Sequence, residues 1–152
     1  MRKRFEVQLA LGAVPIEKLD FPTTREVTSA IMKSLQWIFI TPEVNQGIFE
    51  LLETAITPKQ KKLGRKGMDL WTILVLGVFR LGRNFSYDEL HDMANNHTQI
   101  KQLLGATHLD TELKFSLTAL KENIPLLTED LLAQINHIVA SHGVTARNLL
   151  FG

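Results

Sequence analysis

Apolar residues recur at helical intervals along most of the chain. Val27, Ile31, Leu35 and Ile38 follow one another every three to four positions up to about residue 40, the interval that lines one face of a 3.6-residue helix. Ahead of them, Thr23 with Glu26 has the form of a capping box, in which each side chain satisfies the other's free backbone N–H. A helix over 24–40 is therefore predicted. Thr41-Pro42 restarts the chain, with threonine as N-cap and proline at the first helical position, where its missing N–H costs nothing. Val44, Ile48, Leu51, Leu52 and Ala55 form the apolar face of that second helix, which is expected to stop at Thr57-Pro58.

Residues 58–67, PKQKKLGRKG, read as an exposed basic linker with two glycines. The following run, DLWTILVLGVFRL over 69–81, is apolar nearly all round and predicts a central buried helix, with Asp69 as its N-cap and Gly82 as its stop. Ser86 and Glu89 make a second capping box and open a short helix through about Ala94. Asn95-Asn96 suits a turn, because asparagine tolerates left-handed backbone angles. A further short helix from Thr98 to Leu104 is closed by Gly105. Leu113, Leu117 and Leu120 mark the next helix, and Thr128 caps the last, with Leu131, Leu132, Ile135, Ile138 and Val139 inward and Gly143 at its end. Residues 2–11, ended by Gly12 and Pro15, predict a short N-terminal helix. No stretch sustains period-two alternation with β-branched enrichment, so no sheet is expected.

The pattern thus predicts an all-α, multi-helix bundle. It divides into a helical arm over 1–57, the basic linker 58–67, a helical domain over 68–143 and a tail over 144–152. An apolar fraction of 45% with 22% charge argues against wholesale disorder. The absence of cysteine removes disulfides and thiolate metal sites and fits a reducing, cytoplasmic setting. Met1-Arg2-Lys3-Arg4 has the charge of an export signal, but Glu6, Gln8, Glu17 and Lys18 leave no apolar core behind it. The apolar run Leu70 to Leu81 contains Arg80 and is too short to span a bilayer, so no membrane partner is expected.

Net charge is only +1, but it is unevenly spread. From Lys59 to Arg83 there are seven basic residues against the single acid Asp69, whereas from Asn84 onward there are four basic and eight acidic residues. Such asymmetry says more about partners than the total does.

Catalytic chemistry leaves little trace. No phosphate loop, dinucleotide fingerprint, zinc-protease helix or serine elbow occurs in the sequence, so no catalytic residue, metal or cofactor is assigned. His91, Asp92, His97, His108 and Asp110 cluster in sequence without metal-ligand spacing, and read as solvated groups near helix ends. Trp37, Phe39 and Trp71 have the flat faces of base-stacking platforms but lie inside apolar helical patterns, which makes them core.

Two features remain. The first is the basic segment Lys59, Lys61, Lys62, Arg65 and Lys66. It reads either as a solvated linker or as a set of phosphate contacts, with Arg65 between glycines able to enter a minor groove. The second is the unit Ser86–Leu104, a short helix, a tight turn and another short helix beneath the apolar run. It reads either as a plain bundle corner or as a helix-turn-helix. In a DNA reader, Thr98, Gln99, Lys101 and Gln102 would face outward while Ile100, Leu103 and Leu104 anchor the helix. Glutamine and lysine are suitable base-edge partners.

The stretch GMDLWTILVLGVFRLGRNFSYDELHDMANNHTQIKQLLG over 67–105 resembles the N-terminal region of bacterial insertion-sequence transposases of the ISNCY family. The resemblance continues through LKFSLTALKENIPLLTEDLLAQINHIVASHG over 113–143 and takes in MRKRFEVQLALGAVPIEKL and TPEVNQGIFELLE. It is carried most specifically by Asp69-Leu70-Trp71, Tyr87-Asp88-Glu89-Leu90 and Leu103-Leu104-Gly105. In that family the helical region grips the element's ends and precedes an RNase H-like domain with a metal-binding Asp/Asp/Glu triad. Relatives often read Gly-Arg-Pro where this chain has Gly64-Arg65-Lys66.

The resemblance also places the start of the β-rich catalytic domain near TARNLLFG, so a truncated, non-catalytic DNA-binding chain is the expectation. Two-metal strand chemistry needs acids that hold ions ~4 Å apart, whereas Asp69, Asp88, Glu89 and Asp92 fall at predicted helix caps and on a surface helix. DNA and a second copy of the chain are the expected partners. Two alternatives are a dimerisation module, in which helices 24–40 and 42–56 pair with a partner, and a small enzyme using the His91/His97 region.

Overall fold

The computed structural model describes residues 3–5, 15–21, 26–56, 68–105 and 114–142. Among them are seven α-helices and no strand: α1 (Val27–Ile40), α2 (Pro42–Ala55), α3 (Leu70–Arg83), α4 (Tyr87–Asn96), α5 (Thr98–Leu103), α6 (Leu117–Asn123) and α7 (Glu129–Ser141). Two 3₁₀ turns, Ile16–Lys18 and Ile124–Leu126, complete the order. The all-α, multi-helix architecture is as the periodicity predicts. No helix among the described residues is long and apolar enough to cross a membrane. Thr23, Thr57-Pro58, the basic segment with Lys59, Lys61, Lys62, Arg65 and Lys66, and also His108, Asp110, Leu113, Gly143 and the tail lie outside the described residues.

Ten consecutive residues of α3, Leu70 through Phe79, are buried, as expected for a helix apolar on every side. Helices α1, α2 and α4 pack around it together with the second 3₁₀ turn, while α7 packs on α2 and α6 on α4. One continuous apolar cluster runs from Ile31, Leu35 and Ile38 through Val44, Ile48 and Leu52 to Ile135 and Val139. The apolar faces of α1 and α2 are thus consumed within the chain. Leu51 and Ile138 are only partly buried and Ala55 is exposed, because they fall at the edge where α2 meets α7.

Local capping accounts for most helix starts. Asp69 Oδ1 accepts from Thr72 N–H at 2.7 Å, Ser86 and Glu89 close both halves of their capping box at 3.2 Å each, and Thr128 Oγ1 accepts from Leu131 N–H at 3.1 Å. Each such bond satisfies one of the four free N–H groups at a helix start and contributes about 1 kcal/mol.

Several expectations are corrected by the observed helix ends. Helix α1 begins at Val27 rather than near 24, with Glu26 as N-cap accepting from Ser29 N–H at 3.1 Å. Thr41 does not cap α2 through its side chain: its hydroxyl donates back to the Trp37 carbonyl at 2.6 Å, so it closes α1 and leaves Pro42 to start α2. Gly82 does not stop α3. The helix runs on to Arg83 and ends at Asn84, which takes the left-handed conformation at φ 54° that asparagine tolerates better than most residues.

Asn95 and Asn96 are not a turn either but the last two residues of α4. Asn95 is occupied by a distant segment, its Oδ1 accepting from Phe115 N–H at 2.7 Å and its Nδ2 donating to Phe115 O at 2.9 Å. The predicted N-terminal helix is absent at residues 3–5. There the carbonyls of Lys3 and Arg4 accept from Leu70 N–H and Trp71 N–H, both at 2.9 Å, and so serve the free donors at the start of α3 instead of a helix of their own. Arg4 anchors this strap through Glu53 Oε1 at 2.6 and 3.1 Å and Gln46 at 3.0 Å, and Phe5 lies edge-on to Phe39 and Trp71.

Candidate nucleic-acid interface

The predicted reading helix is α5. His97 alone separates it from α4, a shorter connection than the three or four residues usual in a helix-turn-helix. Ile100 and Leu103 are wholly buried and Leu104 nearly so, so the anchoring side is as expected. The outward side is only partly so. Thr98 is exposed, but Gln99, Lys101 and Gln102 are half-buried, because this short helix packs against both α4 and α1. Long side chains in that position lay their stems on apolar surface and keep their polar ends in water.

Trp71 is fully buried and is therefore core rather than a stacking platform, and Phe39 and Trp37 are partly buried against the same cluster. The Trp71 indole Nε1 donates to the carbonyl of Leu103 at 2.9 Å, which satisfies a free carbonyl at the end of α5. This bond holds the end of α5 beside the start of α3. The described chain re-enters at Met68, immediately before that start, and Arg65 and Lys66 precede it in sequence by only two or three positions.

The other end of α3 carries Arg80 and Arg83, about 20 Å along a helix of this length. Arg80 lies over the Tyr87 ring at 4.5 Å with its Nε buried and unpaired. Arg83 lies over Phe85 at 5.5 Å and faces Glu26 at 3.7 Å. Both cations therefore lie over aromatic rings, an arrangement that sequence reasoning missed although Arg80–Tyr87 and Arg83–Phe85 are close in sequence. Next to them, Phe85, Glu89, Asp92, Met93, Asn96 and His97 line an open depression of about 370 Å³. Glu89 and Asp92 give this depression an acidic lining.

His97 is the N-cap of α5, its Nδ1 accepting from Ile100 N–H at 3.2 Å. Burial lowers its pKa below the ordinary value near 6.5, against an opposing pull from Glu26. Burial alone would raise the Glu26 carboxyl, but hydrogen bonds from Thr28 and Ser29 and the charge of Arg83 hold it below the usual range. His91 sits half-buried on α4, and no group of three or more His, Cys, Asp or Glu side chains converges among the described residues.

The described residues define an all-α multi-helix bundle. No family model, no curated protein and no solved structure matches the chain.

Proposed function

We propose that the chain is a DNA-binding helical region of the kind found at the N-terminus of insertion-sequence transposases of the ISNCY type, gripping DNA without cutting it. The observation that carries this reading is the meeting of charge and helix at one end of α3. Trp71 Nε1 bonded to Leu103 O at 2.9 Å sets the end of α5 beside the start of α3, which the five cations Lys59, Lys61, Lys62, Arg65 and Lys66 precede in sequence. On this reading Lys59, Lys61, Lys62, Arg65 and Lys66 neutralise phosphates, and Thr98, Gln99, Lys101 and Gln102 meet base edges.

A mobility shift at two salt concentrations tests the first part. Replacing Lys61, Lys62, Arg65 and Lys66 together by alanine is expected to flatten the slope of log affinity against log salt by ~0.9 for each phosphate no longer neutralised. An unchanged slope sets the basic segment aside. For α5, replacing Gln99, Lys101 and Gln102 is expected to lower the preference for element-end over random DNA by ~1–3 kcal/mol per bidentate pair removed. Equal weakening on both DNAs makes them backbone contacts instead.

A second reading, a helical interaction module that pairs with another copy, is favoured by the shallow groove where Leu51 of α2 meets Ala133, Gln134, His137 and Ile138 of α7. Apolar pairing there would be nearly independent of salt, so sedimentation across the same salt range separates the two readings.

A further inference from the structure

We propose that the junction of α4 and α5 is a proton-operated latch: neutral His97 holds the first turn of α5 closed through Nδ1, and protonation of the ring releases that turn. The device rests on three features of the fold. First, His97 is the whole connection between the helices, so its ring orientation and the path of α5 are set together. Second, Nδ1 accepts the Ile100 N–H at 3.2 Å, which requires the tautomer with its proton on Nε2. An imidazolium has N–H at both positions and accepts nothing. Third, α5 has only six residues, so one cap is a large share of what holds its start.

Protonation acts twice in the same direction. It sets Nδ1–H against Ile100 N–H, and it puts a positive charge at the positive end of the helix. The opposite end of α5 does not depend on the ring. Leu103 and Leu104 remain buried and Trp71 still donates to Leu103 O. The released first turn thus frays about a fixed C-terminal end, while the fully buried Ile100 side chain confines the opening to that turn.

The charges facing His97 are mixed. Glu26 at the start of α1 and a hydrogen bond between the ring and its own backbone favour the imidazolium, and Glu89 and Asp92 of α4 line the same depression. Arg83 of α3 faces Glu26 at 3.7 Å and offsets part of that attraction, and Lys101 stands one turn along α5. Burial of the ring prevails, and the folded pKa lies below the unfolded one. A group depressed in this way stabilises the fold fully above the unfolded value, near 6.5, and that contribution is lost as pH falls through the folded value. The latch is closed at neutral pH and opens in mildly acid solution. For the DNA-binding reading, on which this one consequence rests, Thr98 and Gln99 would leave their positions in acid.

Amide hydrogen exchange followed by NMR, without DNA, tests the latch and leaves the DNA reading to its own experiment. Exchange at Ile100 is converted to a protection factor at each pH, which removes the intrinsic pH dependence of the chemistry. Between about pH 7.5 and about pH 5 the wild type is expected to lose roughly fivefold protection at Ile100, the factor carried by a typical N-cap. His97→Asn supplies a cap that does not titrate, and its protection is expected to stay constant, which separates His97 from His91, His137 and His142. Constant protection in the wild type, or an equal loss in both proteins, overturns the proposal. Should the variant fail to fold, the wild type still decides: the Ile100 amide proton shift must titrate with the midpoint of the His97 ring, and an independent midpoint overturns the latch equally.

Discussion

Replacing Trp71 with alanine is expected to remove about 3–5 kcal/mol of stability, the range for a fully buried large aromatic. Trp71 has no exposed surface and lies against Phe5, Phe39 and Phe49 at centroid distances of 6.2, 4.9 and 6.4 Å. Losing the indole opens a cavity at the meeting of α1, α2, α3 and the N-terminal strap, and these elements cannot all move inward together. Trp71→Phe separates the two roles of the side chain. It keeps most of the apolar packing but leaves the Leu103 carbonyl without its 2.9 Å donor, for about 1–3 kcal/mol. Urea unfolding followed by far-UV circular dichroism checks both, since Trp71 and Trp37 are the only tryptophans and fluorescence would change for trivial reasons. An alanine variant within about 1 kcal/mol of wild type contradicts this placement of the ring.

Two glycine-to-alanine changes inside helices are expected to act in opposite directions. Alanine is ordinarily the better helix former by about 0.5–1 kcal/mol. At Gly47 of α2 the nearest atom to an added Cβ is Ile138 Cγ2 at 3.7 Å, an ordinary contact, so Gly47→Ala should stabilise by up to about 1 kcal/mol. At Gly77 of α3 an added Cβ would collide with Leu127 Cδ2 and lie 2.9 Å from Leu127 Cβ. The first atom can swing away, but the second cannot move without the backbone between the 3₁₀ turn and α7. Overpacking of this kind costs about 1–3 kcal/mol and should outweigh the helix preference. Equilibrium denaturation of the two variants gives the signs. Adding Leu127→Gly to Gly77→Ala should cost less than the two single losses combined, because the clash disappears with its partner's Cβ. Strict additivity would mean that the close approach does not exist.

This close approach explains why a helix as apolar as α3 carries a glycine at all. Hydropathy marks Gly77 only as a weak point in a good helix, whereas the fold uses it to let the Leu127 segment reach the α3 backbone. Leu127 in turn is buried just ahead of Thr128, whose cap starts α7. The approach therefore also fixes where the last helix departs.

Much of the architecture was legible in the residues because its causes are local. Periodic apolar positions marked α1, α2, α3 and α7, and caps at Asp69, Ser86 with Glu89, and Thr128 act across three residues, within reach of any reading along the chain. Gly105 at φ 90° likewise closes its short helix as its missing Cβ allows. What tertiary contact decided lies where a polar group has two possible partners. Asn95 bonds to Phe115 twenty positions away and so stays helical, and the carbonyls of Lys3 and Arg4 go to the start of α3. In each case the local preference is worth no more than about 1 kcal/mol, less than a distant partner offers once packing has brought it near. The candidate interface divides in the same way: its charge is a property of the residues, but Trp71 reaching Leu103 is what sets the end of α5 beside the start of α3, and no spacing along the chain encodes a hydrogen bond between positions 32 residues apart.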